Sequence, residues 1–499
     1  MKYFKYSIIA IILLFVSDRL MAQRPVCDGN YTIKPQDGGT TFLSGEPPSV
    51  PDASNTNGGP LFEGDRLVFW VHGLGGNIGS WERAATATTS QALTAPIPGY
   101  RPREVTSVFP SYVNQQSALE SAGNTLRELF DSGNTASNQN VPKGRNIIIA
   151  HSQGGIVSRA ADMQNLFYAP NAQRPYGGIV TFGTPHQGAR ILNNKTKYGD
   201  LLSSGCKALV KPQVNEILLD IRLVRNLIGG YVQDGLEALC NTFGSSVVTK
   251  TLLSDFNVGI TEDYEVGATV LGTLNAFQTP AGALNIPKVA FYGVEDEVNT
   301  SWRVLSSLEI KTPNQYPPFG ADDDSQMVTV ANDAIMDYKA KYEAYRDAII
   351  RKESRFPYFQ ASDWLKTKRD DWGRGLDWLL NFDDSFKTIT GALTIIDKPE
   401  RCLCNDGTIL NAPHPDCKES YCRVRLPAEF SKTYKPSDGI ILQESAQNFP
   451  GAIFNWKMLG SNHQQMRNDS NTKTALNMLF RGECNYLGGG IFFKTAERP

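Results

Sequence analysis

Apolar residues in this chain gather in short, uniform runs separated by stretches of helical spacing. Arg66–Val71 (RLVFWV), Asn146–Ala150 (NIIIA), Gly177–Phe182 and Pro287–Gly293 (PKVAFYG) are too evenly apolar to keep one wet face. Such runs fit strands buried on both sides of a parallel sheet. A weaker strand is predicted over Glu104–Phe109 and a last one over Ala452–Leu459. Between them, Leu119, Ala122, Leu126 and Leu129 recur at helical spacing within Gln116–Phe130, and a closing helix is predicted over Asn471–Arg481. Strands alternating with helices imply a parallel α/β sheet with right-handed crossovers. In such a sheet the functional groups lie beyond the carboxyl ends of the strands.

The alternation breaks twice, which sets the domain organisation. The core is read as 65–190, 287–309 and 433–499, with insertions at 191–286 and 310–432. In the first insertion Val214, Ile217, Leu218, Ile221, Val224 and Ile228 share one helical face, and a Gly-rich tract follows. Its place after a site-bearing strand suits a lid, although plain helix packing has the same periodicity. The second insertion begins with a long charged helix, Met327–Lys352. It continues with a helix over Ser362–Leu380 carrying Trp364, Trp372 and Trp378. The tryptophans are read as the core of a small helical subdomain, in preference to an acyl-binding or membrane-facing rim. Residues 23–64 are Gly-, Pro-, Ser- and Asn-rich and read as an extended lead-in.

Composition adds location and excludes some partners. A net charge of −2 argues against a nucleic-acid binder working through a broad basic surface. Lys2 and Lys5 precede an apolar run, Ile8–Val16, and the stretch ends at Leu20-Met21-Ala22, so residues 1–22 read as a cleavable signal peptide. The run is short for a membrane span, and Cys27 follows Arg24-Pro25-Val26 rather than a lipobox. A secreted or periplasmic protein is therefore expected. Eight cysteines in an exported chain then suggest disulfides. Cys402, Cys404, Cys417 and Cys422 cluster, Cys206 and Cys240 lie mid-chain, and Cys27 and Cys484 lie near the ends. The cluster encloses His414 and could instead hold zinc. It lacks paired CxxC spacing, so disulfides are preferred and no metal is assigned.

The chemistry centres on His151-Ser152-Gln153-Gly154-Gly155, where a strand turns abruptly into a helix-like IVSRAADMQN. A strand, a tight turn carrying serine and a helix make a nucleophile elbow, which needs small residues two before and two after the serine. Ala150 and Gly154 stand there. The serine needs a base, and the base an orienting acid. Of the five histidines, His72 lies in a glycine loop, His151 adjoins the serine, His186 sits in a Gly/Pro turn and His414 lies in the Cys-rich insert. His463 follows the last strand and is the expected base. Asp438 is the first choice for the acid, with Asp296, at the end of the 287–293 strand, as the alternative. Backbone N–H groups of Leu74 and Gln153 are the expected oxyanion donors. HGLGG lacks the lysine and spacing of a phosphate-cradling loop.

FWVHGLGGN, IIIAHSQGGIVSRA, TFGTPHQGA, SDGIILQESA and GSNH together resemble the α/β-hydrolase lipases. Within these the chain is similar to GPI inositol-deacylase-like lipases, and the late Asp-Gly element resembles lecithin–cholesterol acyltransferase-like enzymes. The resemblance covers about 65–190, 287–300 and 435–482. It implies an α/β-hydrolase fold with Ser152 as nucleophile, His463 as base and Asp438 as acid; the two large, mainly helical insertions lie outside the resemblance, and the chemistry needs no cofactor. Ala150 in place of the first elbow glycine and the competing GVEDEV are departures, and the second leaves the acid open. The expected activity is hydrolysis of carboxylic esters, lipid-like ones first, through an acyl-enzyme. Two alternatives stand: acyl transfer by the same residues, and a non-catalytic binding protein on a hydrolase shell. The expected partners are a lipid or other ester and, transiently, a membrane surface; oligomeric state is not legible.

Overall fold

The computed structural model describes residues 66–74, 76, 78–89, 105–112, 119–136, 146–168, 174–217, 259–277, 286–295, 299–308, 319–321, 326–355, 363–404, 407–411, 422–452 and 454–481. The expected signal peptide and lead-in, Asp296, His414, Cys27, Cys240, Cys417, Cys484 and the helical face beyond Ile217 lie outside these residues.

In chain order the strands are β1 (Arg66–Val71), β2 (Val105–Val108), β3 (Ile147–His151), β4 (Gly178–Phe182), β5 (Lys288–Val294), β6 (Leu393–Lys398), β7 (Arg401–Cys404), β8 (Ile409–Asn411), β9 (Cys422–Leu426), β10 (Glu429–Tyr434) and β11 (Phe454–Leu459). Six of them form one sheet in the order β11-β5-β4-β3-β1-β2, every neighbouring pair parallel. Alternation along each strand sends successive side chains to opposite faces. Leu67, Phe69, Val71, Ile148 and Ala150 join one apolar cluster, with Leu126, Phe130, Ile156 and Val157 from the helices Leu119–Ala136 and Gln153–Tyr168. Val68, Trp70, Ile147, Ile149 and Phe182 join the other, with Ala84 and Ala85 from Glu82–Thr89 and Leu476 and Leu479 from Ser470–Arg481. Both faces are thus covered, which explains why β1 and β3 lack polar alternation. The architecture is the α/β-hydrolase fold.

The sheet order also places the site. From β1 the chain steps outward to β2, then returns to β3 on the other side of β1. The order reverses between β1 and β3, so the crevice beyond their carboxyl ends is the switch point of the sheet. The His72-Gly73-Leu74 loop and Ser152 flank that crevice.

Helices of the two insertions pack together as one body. The Trp378 indole N–H of Asp363–Thr390 donates to the Leu201 carbonyl of Lys195–Ile217 at 3.2 Å. The Tyr338 hydroxyl of Gln326–Arg355 donates to Leu209 O of the same helix at 2.6 Å. Of the three tryptophans, Trp372 is buried against Tyr338 and Trp378 packs on Phe382 and Trp302. Trp364 is 50% exposed.

The second insertion is mainly helical, with the helices Gln326–Arg355 and Asp363–Thr390. It also holds an antiparallel pair, β6–β10, and a three-stranded antiparallel sheet, β8-β7-β9. Cys402 and Cys404 are buried in the latter and disulfide-bonded. These strands are short and β10 is largely exposed, so they carry little apolar periodicity for a sequence reading to find. Their ladder matters to the site. Pairing β6 with β10, and Lys435 N with Ala392 O at 2.7 Å, brings the insertion's exit back beside the end of the helix Asp363–Thr390. The Glu295 N–H then donates to Ser437 O at 2.7 Å, which docks Asp438 at the end of β5. Among the described residues no helix is long and apolar enough to cross a membrane.

Truncating Trp372 removes a fully buried indole, so Trp372→Ala is expected to cost about 3–5 kcal/mol and destabilise the insertion helices. Trp364→Ala is expected to stay within about 0.5 kcal/mol. Hydrogen exchange of residues 326–390 in the two variants checks the contrast.

Candidate active site

β3 ends at His151 and the helix Gln153–Tyr168 begins two residues later, so Ser152 alone makes the turn. It does so at φ +53°, a left-handed conformation that costs a non-glycine residue about 1–2 kcal/mol. Two backbone hydrogen bonds hold it: Ser152 N–H donates to Phe182 O at 2.9 Å, and Gly155 N–H donates to Ser152 O at 3.1 Å. The turn is crowded as the motif requires. A Cβ on Gly154 would lie 2.3 Å from His72 O, and one on Gly73 would lie 2.8 Å from the Ser152 Cβ. The loop after β1 therefore rests directly against the serine.

His463 arrives on the turn after β11. Its Nε2 is 2.9 Å from Ser152 Oγ and its Nδ1 is 2.7 Å from Asp438 Oδ2. The other oxygen of Asp438 accepts the N–H groups of Ile440 at 3.0 Å and Ile441 at 2.6 Å. The carboxyl group thus acts as acceptor at both oxygens, so Nδ1 of His463 is the donor. That leaves Nε2 as the acceptor for the serine hydroxyl proton. Asp438 and His463 are both buried. The backbone follows the side chains, since His463 N–H donates to Asp438 O at 2.8 Å.

The structure thus brings together Ser152, His463 and Asp438. Asp296 lies outside the described residues. The neighbouring Glu295 pairs with Arg303 at 3.0 Å, and Asp438 occupies the Nδ1 side of His463. Leu74 is half-buried in the loop beside Ser152, and Gln153 is buried at the first position of its helix. Its N–H is among the four at a helix start that lack an intrahelical partner, at the positive end of the helix dipole.

The remaining described histidines have other employment. His72 lies flat on Tyr112, ring centroids 4.5 Å apart, with Nδ1 2.9 Å from Gly73 O. His186 stacks on Phe449 at 4.2 Å and meets Arg159 and Thr181. His151 reaches the His463 carbonyl with Nε2 at 2.7 Å. Burial lowers the His72 pKa. It lowers that of His151 well below the usual histidine value, helped by the charges of His463 and Arg467.

Sequence reasoning placed a lid in the first insertion but did not single out Tyr264 or Asp263. The Gln153 side-chain amide donates to the Tyr264 hydroxyl at 3.3 Å. Ala189 N–H donates to Tyr264 O, and Leu119 N–H to Asp263 Oδ2, both at 2.8 Å. This segment is fastened beside the site as a wall. Its signal was hidden in a Gly-rich tract without periodicity. Among the described residues no group of three or more His, Cys, Asp or Glu is placed to hold a metal ion.

No known family profile matches the chain. No curated protein matches it either. Solved structures do match. The phospholipase PlaB from Legionella pneumophila is 12% identical over 46% of this chain and 39% of that one, TM-score 0.25. The chain thus spans about two fifths of that phospholipase. The same enzyme in complex with thio-NAD matches over 69% of this chain and 71% of that one, at 10% identity and TM-score 0.29. RedJ, a thioesterase of the prodiginine biosynthetic pathway in Streptomyces coelicolor, is 12% identical over 47% of this chain and 69% of its own, TM-score 0.22. The assignment of the fold rests on the parallel strand order and the strand–turn–helix at Ser152.

The two lowered histidines give a pH dependence of stability. A histidine held neutral in the folded state binds fewer protons than the unfolded chain once pH falls below its unfolded value of about 6.5. Stability contributed by His72 and His151 is therefore present above that pH and lost as pH falls towards their folded values. The urea midpoint is expected to drop between pH 7.5 and 5, and His151→Gln, which cannot titrate, to show a shallower drop.

Proposed function

We propose that the protein is an exported serine hydrolase that cleaves carboxylic esters. The observation that carries this reading is the continuous chain Ser152 Oγ···Nε2 His463 Nδ1···Oδ2 Asp438, with links of 2.9 and 2.7 Å. Ser152 attacks the ester carbonyl carbon while His463 takes its proton at Nε2. The developing oxyanion faces the backbone N–H groups of Gln153 and Leu74. Collapse of the tetrahedral intermediate expels the alcohol, which receives the proton from His463 and leaves an acyl-serine. Water then attacks with His463 again as base, and Ser152 is regenerated. Asp438 keeps Nδ1 protonated and supports the imidazolium that forms.

The substrate is proposed to be lipid-like, a long-chain ester or phospholipid met at a membrane surface. Support comes from two insertions that together build a large body beside the sheet, and from the Tyr264 wall against Gln153. Export rests on the basic start, apolar run and small residue at Ala22.

Ser152→Ala is expected to abolish ester hydrolysis and fluorophosphonate labelling by the purified protein; a variant that hydrolyses at the wild-type rate overturns the reading. Asp438→Asn is expected to lower kcat about 10³–10⁴-fold with KM little changed, because the amide presents Nδ1 with the wrong tautomer. In a chain-length series of p-nitrophenyl esters, kcat/KM is expected to rise from acetate to long acyl chains. Best activity on acetate counts against the lipid assignment.

A further inference from the structure

We propose that His151 is a positioning residue: its Nε2–H, donated to the main-chain carbonyl of His463, locks the general base in register with the nucleophile. This inference rests on the serine-hydrolase reading and adds to it a residue that touches neither substrate nor the reacting atoms.

The need for such a lock follows from the sheet. His463 is delivered by β11, and two strands, β5 and β4, lie between β11 and β3. At about 4.8 Å per strand, the loop after β11 starts about 14 Å from the strand that carries Ser152. It must reach back over both and stop with an imidazole at hydrogen-bond distance. A misplacement of about 1 Å at such a contact costs on the order of 100-fold in rate. Two main-chain bonds fix the stop. His463 N–H donates to Asp438 O at 2.8 Å, and His463 O accepts from His151 Nε2 at 2.7 Å. The peptide groups on both sides of the base are thus held, one by the residue that supplies the acid and one by the neighbour of the nucleophile. Through His151 the strand that sets Ser152 also sets the loop that must meet it, across 312 positions of chain.

Histidine suits this task for a chemical reason. A carbonyl only accepts, so Nε2 carries the proton and His151 is the Nε2–H tautomer. Its Nδ1 faces the Gly73 backbone, where a Cβ would lie 3.0 Å away. The ring is buried, with the edge of Trp81 on one side and the His463 ring 4.8 Å away, centroid to centroid. The charged or titratable groups facing it are His463, Arg467 and His72. When His463 takes the serine proton it becomes a cation beside this ring. A donor that is itself cationic there, lysine or arginine, would oppose that step, whereas a buried neutral imidazole donates without charge. The sequence position agrees: alternation along β3 turns residue 151 away from the hydroxyl of residue 152 and towards the underside of the base loop.

The test compares the full-length wild type with Ser152→Ala, His151→Phe and His151→Gln. The readouts are fluorophosphonate labelling rate, and kcat and KM for a p-nitrophenyl ester. Phe keeps the ring and removes the donor; Gln restores an N–H at similar reach. His151→Phe is expected to lower kcat and labelling about 10–100-fold with KM within about twofold, and His151→Gln to recover to within about threefold of wild type. A folded His151→Phe protein with wild-type kcat overturns the proposal, as does a Gln variant no better than Phe. If His151→Phe fails to fold, histidine ring nitrogen NMR on the wild type decides. The signals lost in His151→Gln should report protonated Nε2 and bare Nδ1 at pH 7, and a protonated Nδ1 overturns the proposal. Absence of both labelling and hydrolysis in the wild type would instead sink the serine-hydrolase reading, while leaving the NMR result to judge the hydrogen bond itself.

Discussion

One imidazole has to be held between a hydroxyl and a carboxylate that approach it from different parts of the chain, and much of the architecture bears on that constraint. Ser152 comes from the middle of the sheet, His463 from its edge, and Asp438 from the segment that follows the second insertion. None of the three is rigid alone. Ser152 sits in a left-handed conformation that is uphill for its residue type and is held by the Phe182 carbonyl and the new helix. Asp438 is fixed by two backbone N–H groups at one oxygen, which leaves the other for His463. His463 is fixed through its own main chain. The hydrogen-bond chain is therefore the visible part of a larger set of backbone bonds.

The insertions enter this arrangement physically. The β6–β10 ladder closes the strand part of the second insertion on itself, and the Glu295 N–H bond to Ser437 O sets the next residue, Asp438, at the end of β5. The first insertion sends Tyr264 against Gln153 and sends its helix Lys195–Ile217 into the bundle of the second. Two stretches that look independent in sequence thus share one apolar interior. Trp372 and Trp378 are spent on it, which leaves Trp364 outside.

Burial of polar groups around the site is extensive and ordered. His72, His151 and His186 each have a ring partner or a hydrogen-bond partner, so they serve as buried donors and stacking surfaces. Burial around His151 keeps it neutral beside the His463 imidazole. Burial also strengthens the His463–Asp438 hydrogen bond.

Much of this was written in the linear order of residues. Uniform apolar runs determined the strands, because a strand buried on both faces cannot alternate. The crowding of a strand-to-helix turn made Ala150, Ser152, Gly154 and Gly155 legible as a group, since a Cβ on Gly154 would lie 2.3 Å from His72 O and one on Gly155 would meet the Thr184 side chain. Position after the last strand singled out His463. Other features needed the fold. The choice between Asp438 and Asp296 could not be read locally, because both follow or adjoin strand ends and the bond that docks Asp438 at β5, Glu295 N–H to Ser437 O, joins residues far apart in sequence. The clamp from His151, the wall at Tyr264 and the merger of the two insertions are contacts between residues far apart in sequence. Periodicity and motifs report what a residue needs from its near neighbours; which distant backbone group meets it is decided only when the sheet is closed and the layers are packed.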